Sequence, residues 1–190
     1  MKGLDRSRIV GYRSTSDQYE RQSVISAGAD VLTQAGLLDA SDALLNAELK
    51  RSHSPYYFML GLGANAKLRG DKTAALQWYE QAYNTSKGPA TRLQWGATYL
   101  INLLELSPND EARIEKVAHS VFDELATTPD AFYERNRQKL EALGRKLNTW
   151  QNDRHQAAFK RIAQQLSAVC GKLPAADTKR GTCQGLLKAG

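Results

Sequence analysis

Two pairs of punctuating residues recur at a single interval. Gly36 and Gly70 lie 34 residues apart, and so do Pro55 and Pro89. Around the glycines, residues 34–45 align without gaps on residues 68–79. A repeat of this length holds two helices, each of which must present an apolar stripe to the other and to the next pair, so the period calls for stacked helical hairpins.

Residues 56–69 read as the first helix of one unit, with Tyr56, Leu60, Gly63 and Lys67 marking successive turns. Gly70 ends it, because glycine takes the left-handed conformation that closes a helix at little cost. Asp71 then caps a second helix, 72–84, in which Ala75, Trp78, Tyr79 and Ala82 share one face. Small residues at Gly63, Ala75 and Ala82 let the helices approach while Tyr79 fills the space between them. These positions, with Pro89 at the boundary, resemble the tetratricopeptide repeat signature. The preceding unit matches through Ala29, Leu32, Gly36, Leu45 and Pro55, but carries Glu48 where the signature has a small residue.

A third pair, 90–106 and 109–126, keeps the length and replaces the turn glycine with a break over residues 107–110. After residues 127–130 two further helices follow, 131–149 and 153–171, and then a loop with one short helix. The expected fold class is all-α: tetratricopeptide-like antiparallel hairpins stacked in an array, with extra C-terminal helices. Residues 15–190 form a single helical-repeat domain, and residues 1–14 a disordered or introduced N-terminus.

Charge and hydropathy exclude several classes of function. The formal charge of +6 arises from 26 Lys and Arg interspersed with 20 carboxylates. The most basic stretch, from Arg135 to Arg161, has the spacing of solvated helix faces and no aromatic ladder for stacking bases, so no nucleic-acid partner is expected. No apolar run is long enough to span a bilayer. The first eight residues carry Asp5, Arg6 and Arg8 where a secretory signal needs an apolar stretch, so no signal peptide is read in this chain.

Catalytic and metal signatures are sparse. His53, His119 and His155 are far apart, and only His119 has carboxylates one turn away, Glu115 and Asp123, a pattern common on solvated faces. Each histidine reads as a surface or helix-end residue, and no metal site or cofactor is expected. Asp110 and Glu111 suit a helix start, where acidic groups meet the partial positive charge. Gly61 and Gly63 lie inside a helical stretch and read as packing sites. Cys170 and Cys183 are separated by a loop containing Gly171, Pro174 and Gly181 that can bring them together as a disulfide; a reduced, buried pair is the other reading. A bond there would be a structural staple of about 3 kcal/mol and would imply an oxidising compartment.

The remaining signal is aromatic. In stacked hairpins the first helix of each pair lines one face, which makes Tyr57, Asn65, Arg92, Trp95 and Tyr99 candidates for a partner-binding groove, since Trp, Tyr and Arg most often anchor interfaces. The same residues, at helical spacing, also suit a core.

Residues 89–96, residues 132–136, and the stretch around Cys170, Leu173, Pro174, Thr182 and Cys183 resemble the C-terminal helical region of bacterial thioredoxin-family proteins of the thiol:disulfide interchange type. The resemblance covers the chain from about residue 15. It implies a non-catalytic protein- or peptide-docking domain, preceded in its parent by a thioredoxin-like domain that bears the C-x-x-C pair, in the periplasm. This chain has no C-x-x-C, so no redox role passes to any residue here. The alternative expectation is a structural scaffold or dimerisation domain without a ligand groove.

Overall fold

A computed structural model describes residues 18–152 and 154–187 of the chain. The expectation for residues 1–14 lies outside them. Nine helices and no strand are found among the described residues: α1 (Gln18–Gln34), α2 (Leu38–Leu49), α3 (Tyr56–Leu68), α4 (Lys72–Thr85), α5 (Pro89–Leu106), α6 (Glu111–Thr127), α7 (Glu134–Trp150), α8 (Gln156–Gly171) and α9 (Thr178–Gly185). The fold is an all-α helical array.

The 34-residue period is visible in backbone hydrogen bonds. Gly36 and Gly70 have φ of +76° and +79°. The Gly36 N–H donates to the Thr33 carbonyl and the Leu37 N–H to that of Leu32, while Gly70 and Asp71 repeat the pattern on Lys67 and Ala66. Both sets close the helix through the same double-bonded left-handed turn. Pro55 sits just before α3 and Pro89 is the first residue of α5, where a missing N–H costs nothing. Asp71 accepts from the Ala74 N–H and Asp110 from the Arg113 N–H, so both act as the N-caps their sequence positions suggest.

Helices α1, α3, α5 and α7 run in one direction as a row. Thr33 near the end of α1 reaches Asn65 near the end of α3, Lys67 reaches Asn102 of α5, and Gln94 near the start of α5 reaches Asn136 near the start of α7. α2 and α4 return antiparallel to them. The second row continues with α6 and α8, joined by Arg161 on Glu115 and Gln165 on Asp123. α9 then folds back on α8.

Close approach is bought by small residues. A side chain at Gly63 would sit 3.0 Å from the Tyr79 ring, and one at Gly61 2.8 Å from Leu45. Ala75 and Ala82 have no exposure, and Tyr79 is buried beside them. Two separate apolar clusters result. A small one joins Ala29, Leu45, Phe58 and Leu62, and a large one runs from Ala66 and α4 through α9.

The start of α7 differs from its expected position at residue 131. Residues 128–133 form turns, closed by Ala131 N–H on the Thr128 carbonyl and Tyr133 N–H on that of Asp130. Asn136 pins them by donating to the Asp130 carbonyl while it accepts from Gln94. Glu134, the first helical residue, has φ of +40°.

Candidate functional site

Five residues were expected to line one groove, and the structure brings two of them together. Tyr57 of α3 and Trp95 of α5 meet edge to face, ring centroids 5.1 Å apart and planes at 81°. Such a pair contributes on the order of 1 kcal/mol beyond its burial. Both side chains are half-buried. The Trp95 indole Nε1 is shielded from solvent and has no hydrogen-bond partner among the described residues. An unmade indole hydrogen bond leaves a donor whose desolvation has not been repaid.

Of the other three, Asn65 and Tyr99 are committed to the interior, and Arg92 is half-buried and paired elsewhere. Asn65 has no exposure: its Oδ1 accepts from Thr33, and its amide donates to Ser41 and to Asp42 at 2.9 and 2.7 Å. It locks α3 to α1 and α2. Tyr99 is 1% exposed, and its hydroxyl accepts from the Arg113 guanidinium at 2.7 Å. Arg113 also donates to Glu80, which ties α6 to α4 across α5. Arg92 donates to Glu124 at 2.8 Å and lies over the Tyr83 ring, 5.1 Å from its centroid, so it turns toward α4 and α6 instead of toward Trp95.

Burial pushes the Tyr99 phenol up to about 12; the Arg113 hydrogen bond works in the opposite direction. Burial likewise takes Tyr83 up to about 12, with the Glu124 carboxylate adding to it. Both phenols stay neutral at physiological pH and serve as hydrogen-bonding struts. At the far end of the α3–α5 seam, Lys67 donates to Glu105 at 2.9 Å and holds its carboxyl below the usual carboxylate range.

The surface that remains at the candidate groove is therefore the Tyr57–Trp95 pair, on the side of the row formed by α3 and α5. Among the described residues, no group of three or more His, Cys, Asp or Glu side chains is placed to hold a metal ion, and no helix is long and apolar enough to cross a membrane.

Cys170 and Cys183 form a disulfide, Cα atoms 5.6 Å apart and both residues without exposure. It joins the end of α8 to α9.

Sequence reasoning passed over one cluster. His155, which precedes α8, is 5% exposed; its Nδ1 lies 2.7 Å from Glu111 Oε1 and its ring stacks on Trp150 with centroids 4.6 Å apart. Glu111 lies 44 residues upstream, so no local spacing links it to the ring.

The geometry defines an all-helical array with an aromatic pair on one row. Comparisons with protein-family models, with curated proteins and with solved structures find no match in any of the three.

Proposed function

We propose that the chain is a non-catalytic protein- or peptide-binding helical-repeat domain whose partner contacts the α3–α5 face. The observation that carries this reading is the half-buried Tyr57–Trp95 pair with its unpartnered indole N–H. Half-exposed aromatic side chains of this kind gain from a partner that covers them. The stacked hairpins are read as tetratricopeptide-like, on the strength of the 34-residue period and the small residues at Gly63, Ala75 and Ala82.

The same proposal places the domain at the C-terminal side of a periplasmic thioredoxin-like disulfide oxidoreductase. Its support is the resemblance of residues 89–96, 132–136 and 170–183, together with a disulfide that suits an oxidising compartment. Partner capture by the intact chain, compared with Trp95→Ala and Tyr57→Ala, tests the face: retention should fall at least tenfold in both variants, and equal retention removes it. A C-x-x-C thioredoxin-like domain encoded next to this chain is the expected genetic context, and an unrelated neighbour ends that part of the proposal.

A second reading, a dimerisation domain, has its own observation. Val24 and Val31, seven residues apart on α1, are 43% and 65% exposed, and Leu37 follows at 55%. Light scattering decides: a concentration-dependent dimer dissolved by Val31→Lys favours it, and a monomer at all concentrations dismisses it.

A further inference from the structure

An open cleft of about 530 Å³ lies where the ends of α5 and α7 meet the starts of α6 and α8, away from the Tyr57–Trp95 face. Its apolar floor includes Leu104 and Pro108, and its polar lining includes Glu105, Asn109, Lys146, Trp150, Arg154 and His155. The volume suits a small ligand or the end of a peptide.

The walls are fixed by buried contacts. Trp150 donates its indole N–H to the Pro108 carbonyl at 2.8 Å, and His155 stacks on it nearly parallel, at 7°. Glu111 takes Nδ1 of His155, which leaves Nε2 free of hydrogen bonds to the described residues, in a side chain more than nine-tenths buried that lines the cleft. A carboxylate bound to one imidazole nitrogen fixes the orientation of the ring.

Among the described lining residues the cations are Lys146 and Arg154 and the carboxylate is Glu105, which Lys67 already holds at 2.9 Å, leaving Lys146 at a looser 3.8 Å. The Arg154 guanidinium meets no carboxylate among the described residues. Among the described residues no side chain is bonded to the first N–H groups of α8 itself, while Asn152 accepts from the Arg154 and His155 N–H groups just before it. Two cations beside a helix start are together the chemistry that receives an oxyanion.

We propose that this cleft binds an oxyanion, a carboxylate or a phosphate, which Arg154 and Lys146 engage by charge-assisted hydrogen bonds. His155, held by Glu111 through Nδ1, lines the same cleft and lies beside the bound anion.

The test is an NMR titration of the full chain at low salt with inorganic phosphate, with acetyl-triglycine, and with its C-terminal amide as control. The expected result is saturable movement of the His155 ring nitrogens and the Trp150 indole N–H, with binding weakened at least tenfold in Arg154→Gln and at least threefold in Lys146→Gln. Both changed side chains lie at the surface, and an unaltered spectrum elsewhere shows that the fold is kept. A response to phosphate alone assigns a phosphate site, and a response to the peptide acid but not its amide assigns a C-terminal carboxylate. No movement at His155 and Trp150, or equal binding in both variants, overturns the proposal.

Discussion

Glu48 stands where the repeat signature has a small side chain, and it is nevertheless buried. Arg21 of α1 makes this tolerable, donating through Nε at 2.9 Å and through a second guanidinium nitrogen. Those bonds hold the Glu48 carboxyl below the usual carboxylate range, with burial opposing them in part. Because the folded value is depressed, the stabilisation is complete above the unfolded value, about 4.3, and is lost as pH falls through the folded one. Glu48→Gln should cost about 1–3 kcal/mol at pH 7, and the difference from wild type in urea melts should shrink toward pH 3. A difference independent of pH would rule the pair out as its source. Asn65 is the second case at this scale: Asn65→Ala removes the bonds that join α3 to Thr33, Ser41 and Asp42 and should cost about 1–3 kcal/mol, seen as faster hydrogen exchange in α1 and α2. The period placed Asn65 on α3, but the partners that turn it inward come from two other helices, 23 to 32 residues away, and no spacing rule joins them.

Helix limits were legible wherever a turn carries its own chemistry. Gly36 and Gly70 close α1 and α3 through the same pair of bonds, and Asp71 and Asp110 cap the helices that follow. The start of α7 was not legible, because it depends on Gln94 of α5 holding Asn136. Gly144 shows a packing constraint of the same long-range kind: a Cβ there would lie 2.1 Å from the Leu186 carbonyl oxygen, a backbone atom that cannot rotate away. Gly144→Ala gains about 1 kcal/mol in helix propensity, whereas forcing α7 away from the end of α9 costs about 1–3 kcal/mol. Net destabilisation is expected, with exchange accelerated over residues 178–187; a stabilised variant would show that the contact yields freely. The disulfide acts on the same helix. Replacing both Cys170 and Cys183 with Ala should cost about 3 kcal/mol and expose the α9 amides while leaving those of α5 protected. Here the sequence offered both a bonded and a reduced pair, and the structure has the bond, with a Cα separation of 5.6 Å that accommodates it.

Across the molecule, the two apolar clusters imply unequal stability along the chain. Leu45 and Phe58 belong to the small cluster between α1, α2 and α3, whereas Leu100 lies in the large one that α4 through α9 build. In a stacked array each hairpin is held mainly by its neighbours, so a terminal hairpin with one neighbour opens before an internal one. The exposed Val24 and Val31 mark α1 as that terminal element, with nothing among the described residues packed outside it. Leu45→Ala and Leu100→Ala remove the same side chain volume from fully buried sites, and each should cost about 2–5 kcal/mol. Their reach should differ. In native-state hydrogen exchange, Leu45→Ala is expected to speed exchange in α1, α2 and the first turns of α3 while the slowest amides of α5 and α6 keep their protection. Leu100→Ala should lower protection in every helix, because α5 touches α4, α6 and α7 and its loss removes the support of both rows. Equal loss of protection throughout the chain in Leu45→Ala would instead make the molecule one cooperative unit, with Lys67 of α3, which bonds Asn102 and Glu105 of α5, as a link between the two clusters.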